Sequence, residues 1–222
     1  QCSLTFQNFV HFRKISQQSS KFPGFRSKTW EVFRRSHFLY ISEKYTKNVF
    51  KNFNKIIYHK NNLLIRPLKI EDIKENYIKS LQDKTINKYL VSKKKRELTQ
   101  NHIKQYVSKN QISADNILFG IFFKKKHIGN SRLTKIKKNF FLGIAIFDKP
   151  NQNKGFGSKA INIVSDFAFK YLNANFVKAV IDSRNFQSIK AFKKSDFTIK
   201  FNTNTKISNK CLAIKSKNNL LK

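Results

Sequence analysis

The chain has 222 residues, with 46 Lys and Arg against 12 Asp and Glu, a formal net charge of +34 at neutral pH. Its hydrophobic fraction of 40% supplies enough apolar surface for a real core, and 6 Gly, 3 Pro and 2 Cys exclude collagen-like and disulfide-framework classes. The length predicts one core domain plus an appendage.

Residues 1–61 carry 12 basic and 2 acidic residues, with aromatics such as Phe22, Trp30, Phe38 and Phe53 scattered at no sustained period. We expect a basic, aromatic-containing N-terminal extension, poorly ordered or helical only over 30–57. Basic residues interleaved with aromatics are also the composition of a single-stranded nucleic-acid surface, which keeps a nucleic-acid-associated protein as an alternative reading. The chain contains no methionine, even at position 1, so a fragment, a processed product or a frame read past its start is expected. Residues 1–20 hold no apolar run of signal-peptide length, and the longest apolar stretch, 140–147, is too short to span a bilayer. With Cys2 and Cys211 in no bridge, zinc or redox spacing, a cytoplasmic location without a metal site is expected.

From Leu63 strand and helix signals alternate, which sets the start of a domain at 62–222. Residues 63–68 predict a strand, and Ile70, Ile73, Tyr77 and Leu81 recur at helical spacing behind Glu71 and Asp72. A helical stretch at 86–90 precedes the basic loop Lys93-Lys94-Lys95-Arg96. Thr99 is the expected N-cap of a helix through Ile103 and Val107. Strands at 117–123, 128–136 and 140–146, joined by short polar connections, predict an antiparallel meander. A long helix, 156–172, carries the stripe Ala160, Ile161, Val164, Phe167, Ala168 and Tyr171. A strand at 176–181, a short helix at 187–194, and strands at 197–201 and 210–214 complete the order. That order requires an α/β (α+β) fold with a mixed central sheet of about seven strands flanked by about four helices.

Between the 140–146 strand and the long helix lies Gln152-Asn153-Lys154-Gly155-Phe156-Gly157, a turn holding two of the six glycines. Such a turn lets backbone approach a ligand where a helix N-terminus offers unpaired N–H groups, the arrangement of a pyrophosphate site. The pattern resembles the acetyl-CoA loop, Gln/Arg-x-x-Gly-x-Gly/Ala, of the GNAT superfamily of N-acetyltransferases. Its flanks, Asp148-Lys149 and Lys154-Gly155-Phe156, resemble the ribosomal-protein N-acetyltransferase branch. So do the run from Asn185 through Ser188-Ile189 to Phe197, the opening Leu64-Ile65-Arg66-Pro67-Leu68, and His127-Ile128-Gly129. The resemblance covers about residues 62–201 in order and spacing.

This resemblance implies an N-acetyltransferase that binds acetyl-CoA as cosubstrate and passes the acetyl group directly to an amine in a ternary complex. Ala145, Ile146 and Phe147 match positions whose backbone holds the pantetheine arm. Gln152, Asn153, Lys154, Gly155, Phe156, Gly157 and Ser158 match the pyrophosphate loop, and Asn185 a contact to the cofactor arm that doubles as a helix cap. The family's frequent general-base Glu is Phe141 here, its proton-donating Tyr is Phe192, and a glycine is replaced by Asp196. The catalytic residues are therefore unassigned, and a degenerate CoA-binding domain is the second reading. Asp182 is the nearest acidic residue by sequence and reads as a turn residue; His127 reads as a solvated loop residue.

The charge has two sources to weigh. Lys (38), Asn (24), Ile (24) and Phe (23) make 109 of 222 residues, all written with codons poor in G and C. Base composition thus accounts for the charge without selection for a polyanion, although the resulting field steers partners either way. A positive surface disfavours polyamines, so the expected acceptor is a neutral or acidic molecule with one primary amine, such as a ribosomal-protein N-terminus or a nucleotide-linked amino sugar.

Overall fold

The computed structural model describes Phe50 and residues 53–89, 99–201 and 209–217, all within the compact unit Tyr45–Lys222. Residues 1–49 of the expected extension and the basic loop at 93–96 lie outside the described residues.

Eight strands form one mixed sheet: β1 (Tyr58–Lys60), β2 (Leu63–Pro67), β3 (Asn116–Phe123), β4 (Lys126–Ile136), β5 (Asn139–Ile146), β6 (Phe176–Asp182), β7 (Thr198–Phe201) and β8 (Lys210–Ser216). Their order is β1-β2-β3-β4-β5-β6-β8-β7. The β3–β4–β5 meander is antiparallel as expected, and β5–β6 is the one parallel pair in the sheet. The extra strand, β1, folds back on β2 through Asn61 and Asn62, whose φ angles of 52° and 60° make a tight hairpin of the hand that matches strand twist. Lys124 and Lys125, at φ 48° and 65°, turn β3 into β4 the same way. The sheet thus draws on residues on both sides of position 61/62.

Two hydrophobic layers flank the sheet. On one face, α4 (Phe156–Tyr171) lays Ala160, Ile161, Val164, Phe167 and Ala168 on Phe119, Leu133, Phe140 and Val177. Tyr171, expected in that stripe, is 60% exposed and touches only its rim through Phe167. Phe192 on α5 (Phe186–Lys193) is buried in this layer against Phe197. On the other face, α1 (Glu75–Gln82) and α3 (Gln100–Gln111) bring Tyr77, Ile103 and Val107 onto Leu118, Phe122 and Phe147. Thr99 caps α3 as expected, its Oγ1 accepting the His102 N–H at 3.3 Å. α2 (Lys84–Asn87) is a single turn. Among the described residues four helices reach eight residues, and none is long and apolar enough to cross a membrane.

The helix expected from Ile70 breaks in two. Asp72 accepts the Lys69 N–H at 2.8 Å and takes Arg66 in a bidentate pair at 2.7 and 2.6 Å. That clamp closes a 3-10 turn, Ile70–Asp72, against β2, and the chain passes through extended Lys74 before α1 begins. Burial works against the Asp72 charge, but Arg66 and the Lys69 N–H hold its carboxyl below the usual range.

The feature that makes a site is a divergence. β4 pairs with all of β5, from Asn139 to Ile146, whereas β6 is in register with β5 at Phe140↔Val177 and Phe141↔Lys178 and no further. The C-terminal half of β5 therefore has one free edge.

Two predictions follow from these contacts. A chain starting at residue 62 loses β1 and the buried Phe50, which stacks on Phe140 at 6.3 Å, together with Phe53, Ile57 and Tyr58 from the same layer. We expect its thermal midpoint to fall by well over ten degrees relative to a chain starting at Tyr45, since removing one buried Phe alone costs about 3–5 kcal/mol; equal midpoints would contradict the packing. Asp196 follows α5 in the left-handed region, φ 61°, where the related pattern has glycine. Asp196→Gly should stabilise the fold by about 0.5–1 kcal/mol in chemical denaturation, despite losing a contact to Lys215 at 3.8 Å.

Candidate active site

Strand register decides which backbone groups line the free edge of β5. The Phe147 N–H donates to the Ile128 carbonyl at 3.1 Å, and in an antiparallel ladder bonded and non-bonded pairs alternate. Ala145 with Asn130 and Gly143 with Arg132 are therefore bonded pairs, their N–H groups committed to β4. Ile144 and Ile146 turn their N–H and C=O groups the other way, toward the gap left by β6. Of the three residues expected to present backbone there, only Ile146 does. Ile144, which sequence reasoning missed, joins it; the signal is ladder parity, which needs the register.

The loop that follows closes onto this edge. Lys126 pairs with Asp148 at 2.6 Å and Asn151 also bonds that carboxylate, fixing the turn Lys149–Asn151. Gln152 donates from Nε2 to the Ile146 carbonyl at 2.8 Å, so one gap-facing acceptor is spent on anchoring the loop. Asn153, at φ 60°, and Gly155, at φ 80°, reverse the chain into α4. The first helical hydrogen bond is Lys159 N–H to Gly155 C=O at 3.0 Å, which leaves the Phe156, Gly157 and Ser158 N–H groups at the open helix end. The first turn holds no acidic residue, and Lys154 stands exposed beside it. A Cβ on Gly157 would meet only Ile146 Cγ1, at 3.9 Å. Helix end and strand edge are thus neighbours, with no side chain at Gly157 between them. This fits an anion with an extended arm: N–H donors and positive dipole for the one, backbone of Ile144 and Ile146 for the other.

Residues 62–198 match the family model for the acetyltransferase (GNAT) domain. The chain belongs to the GNAT family. Among curated proteins none matches it by sequence. Solved structures share its fold. A ribosomal-protein-S5-alanine acetyltransferase from Vibrio fischeri is 19% identical, with 72% of this chain and 95% of that one covered at a TM-score of 0.60. A spermidine N-acetyltransferase from Vibrio cholerae, in complex with CoA and spermine, is 17% identical over 73% and 100% at 0.61. An acetyltransferase from Salmonella typhimurium that modifies the N-terminal serine of a 50S ribosomal subunit protein is 14% identical over 73% and 99% at 0.60. At these identities the likeness speaks for the fold alone.

In this GNAT domain Asn185 caps α5: its Oδ1 accepts the Ser188 N–H at 3.1 Å, which leaves Nδ2 as the donor it can offer. Asp182 holds Arg184 in a bidentate contact at 2.9 and 2.7 Å, on the exposed turn after β6. Phe141 is half-buried on β5, and Phe192 is sealed in the core, so neither position brings a proton donor or acceptor to the gap. Among the described residues no group of three or more His, Cys, Asp or Glu comes together to hold a metal ion.

His127 overturns its expectation as a solvated loop residue. It sits in β4, stacked on Phe122 at 4.9 Å and packed against Tyr77 and Phe147 at 4.8 and 5.0 Å. Its Nε2 meets Asn130 Oδ1 at 2.7 Å, and Asn130 Nδ2 donates to the Tyr77 hydroxyl at 2.6 Å. Flanking lysines made it look exposed, but the β3–β4 bulge between Ile121 and Phe122 turns its ring inward. Burial pushes the His127 pKa below its ordinary 6.5, with Arg66 adding to that, against smaller opposing effects of Asn130, Asp72 and the Gly129 backbone.

The sign of the linkage is fixed by that depression. Folded His127 resists a proton that the unfolded chain accepts near pH 6.5, so its contribution to stability is complete above 6.5 and is lost as pH falls from 6.5 toward the folded value. Thermal midpoints between pH 7.5 and 5 should therefore drop more for the wild type than for His127→Gln. Parallel curves would contradict the burial.

Proposed function

We propose that this GNAT domain, residues 62–222 together with β1 and the core-packed Phe50 before them, moves the acetyl group of acetyl-CoA to a primary amine by direct attack in a ternary complex. The observation that carries this reading is the open edge of β5 lying against the uncapped N-terminus of α4. In it, the turn and helix start at 152–158 hold the pyrophosphate through their free N–H groups, that of Gln152 being bonded to the Lys149 carbonyl, with Lys154 adding charge. Ile144 and Ile146 hold the pantetheine arm through their backbone, and Asn185 Nδ2 bonds it from the opposite wall. Backbone N–H groups aimed at the thioester oxygen stabilise the charge that develops as the amine attacks.

Proton handling is minimal. With Phe141 and Phe192 where the family pattern has Glu and Tyr, the ammonium loses its proton to water and the thiolate leaves without an acid, which slows turnover without forbidding it. The same two residues favour a second reading, a CoA-binding domain without turnover.

For the acceptor we favour a neutral or acidic molecule with a single primary amine: a protein N-terminus, ribosomal proteins included, or a nucleotide-linked amino sugar. The ribosomal-protein enzymes of similar fold support the first. A surface at +34 repels a polycation such as spermine over about 8 Å at physiological salt. A cytoplasmic setting fits such acceptors.

The test pairs Gly157→Glu with Gly157→Ala, since both have room at Cβ and only the first brings negative charge to the helix end. Acetyl-CoA affinity by calorimetry should fall between about 10- and 100-fold for the first, the worth of one or two charge-assisted hydrogen bonds, and stay near wild type for the second. Equal affinities would remove the site. Thiol release from acetyl-CoA across N-terminal peptides, amino sugar nucleotides and spermine then reads turnover. Spermine outrunning every neutral or anionic amine would overturn the acceptor class.

A further inference from the structure

We propose that Tyr77, Asn130 and His127 form a positioning element on the acceptor side of the β5 gap, and that it holds its shape only while His127 is uncharged. The proposal rests on the acetyl-transfer reading above and adds residues that the family pattern does not supply.

Placement comes first. Asn130 is the register partner of Ala145, one residue before the gap-facing Ile146. Ile144 and Ile146 pack into the layer shared with α4, whereas Asn130 bonds Tyr77 of α1 on the opposite face. A cofactor held at the α4 N-terminus leaves that opposite face for an incoming amine. Tyr77 and His127 both rest on Phe147, the residue after β5, so the three polar groups tie α1 to the point where the strand leaves the sheet.

The element is closed on itself. Both ends of the Asn130 amide are used, one by the Tyr77 hydroxyl and one by His127 Nε2. With Oδ1 as the acceptor, Nε2 carries the imidazole proton and Nδ1 is bare. Nδ1 is buried and has no hydrogen-bond partner among the described residues. A second proton would put an N–H at this buried Nδ1 and a charge among three aromatic rings, a cost that the Gly129 backbone offsets only in part.

The charged groups around the ring do not offset that cost. From β2, Arg66 lies over the far side of Phe122 at 4.4 Å and is bound to Asp72, so that pair presents both signs together. From α1, the Tyr77 phenol is pushed up by burial and stays neutral. Lys126, the preceding residue, is paired with Asp148. Asp72 draws an imidazolium more than Arg66 repels it, but burial outweighs that attraction. Protonation therefore loosens α1 from β4 and displaces Asn130 from the end of β5, while the groups assigned to CoA, on β5 and α4, keep their contacts.

The test uses the full chain with acetyl-CoA and the amine that turns over fastest in the panel above. An amine nucleophile alone gives log(kcat/KM) a slope of about 1 against pH. In the wild type that slope should steepen to about 2 below an inflection under 6.5, and in His127→Gln, which keeps an uncharged donor toward Asn130, it should stay near 1. Tyr77→Phe and Asn130→Ala should lower kcat/KM for the amine between about 10- and 100-fold with acetyl-CoA affinity unchanged. A His127→Gln profile that still steepens, or wild-type rates in the other two variants, would overturn the proposal. Should the variants fail to fold, 15N shifts of the histidine rings in the wild type decide. A neutral Nε2–H tautomer persisting below pH 6.5 supports the element, and an imidazolium at pH 6.5 sinks it. A wild type that binds no acetyl-CoA in the same calorimetric runs overturns the acetyl-transfer reading itself, a result separate from loss of the pH effect in a chain that binds it.

Discussion

The proposed site depends on β5 and β6 parting after Phe141. Up to that point β5 is an interior strand, with backbone bonds to both neighbours. Beyond it, the N–H and C=O groups of Ile144 and Ile146 point into a gap, and polar backbone so placed needs partners. Gln152 supplies one by reaching back to the Ile146 carbonyl. The others face the gap, and the helix that begins at Phe156 starts beside it with unpaired N–H groups of its own. A Cβ at Gly157 would meet only Ile146 Cγ1, at 3.9 Å, so the helix end and the strand edge are neighbours.

The two faces of the sheet divide the labour. The α4 face is an apolar layer of interlocked aromatics, in which Phe119, Phe140, Phe167 and Phe192 fix the distance of the helix from β5. The α1 face contains a smaller cluster with polar groups inside it, and there Asn130 can be half-buried only because its amide finds Tyr77 and His127. The chain has exchanged the Glu and Tyr of the related pattern for Phe141 and Phe192, which add packing to the sheet and remove titratable groups. The titratable ring in this region is instead a histidine whose burial lowers its pKa from the ordinary 6.5.

Much of this was legible because it is local. The stripe on α4 follows from a 3.6-residue period, the meander from short polar connections, and the turn into α4 from two closely spaced glycines. Elements that failed to show did so for physical reasons. β1 is three residues long, with only Tyr58 facing the core, so its alternation is too brief to register; the Asn61-Asn62 pair was the one turn signal available. The break before α1 depends on Arg66 reaching Asp72 from another element. His127 sits in a run of lysines, and nothing local to that run encodes the bulge that buries it.

The order of elements, the GNAT resemblance and the turn at 152–158 could be read along the chain, because periodicity, capping and glycine placement act over a few residues. That Ile144 and Ile146, and not Ala145 or Phe147, face the gap, and that Tyr77, Asn130 and His127 meet, emerges from the folded sheet. The first is set by ladder parity between β4 and β5. The second joins residues up to 53 positions apart, and a contact across that distance is fixed by packing rather than by any property of the neighbours in the chain.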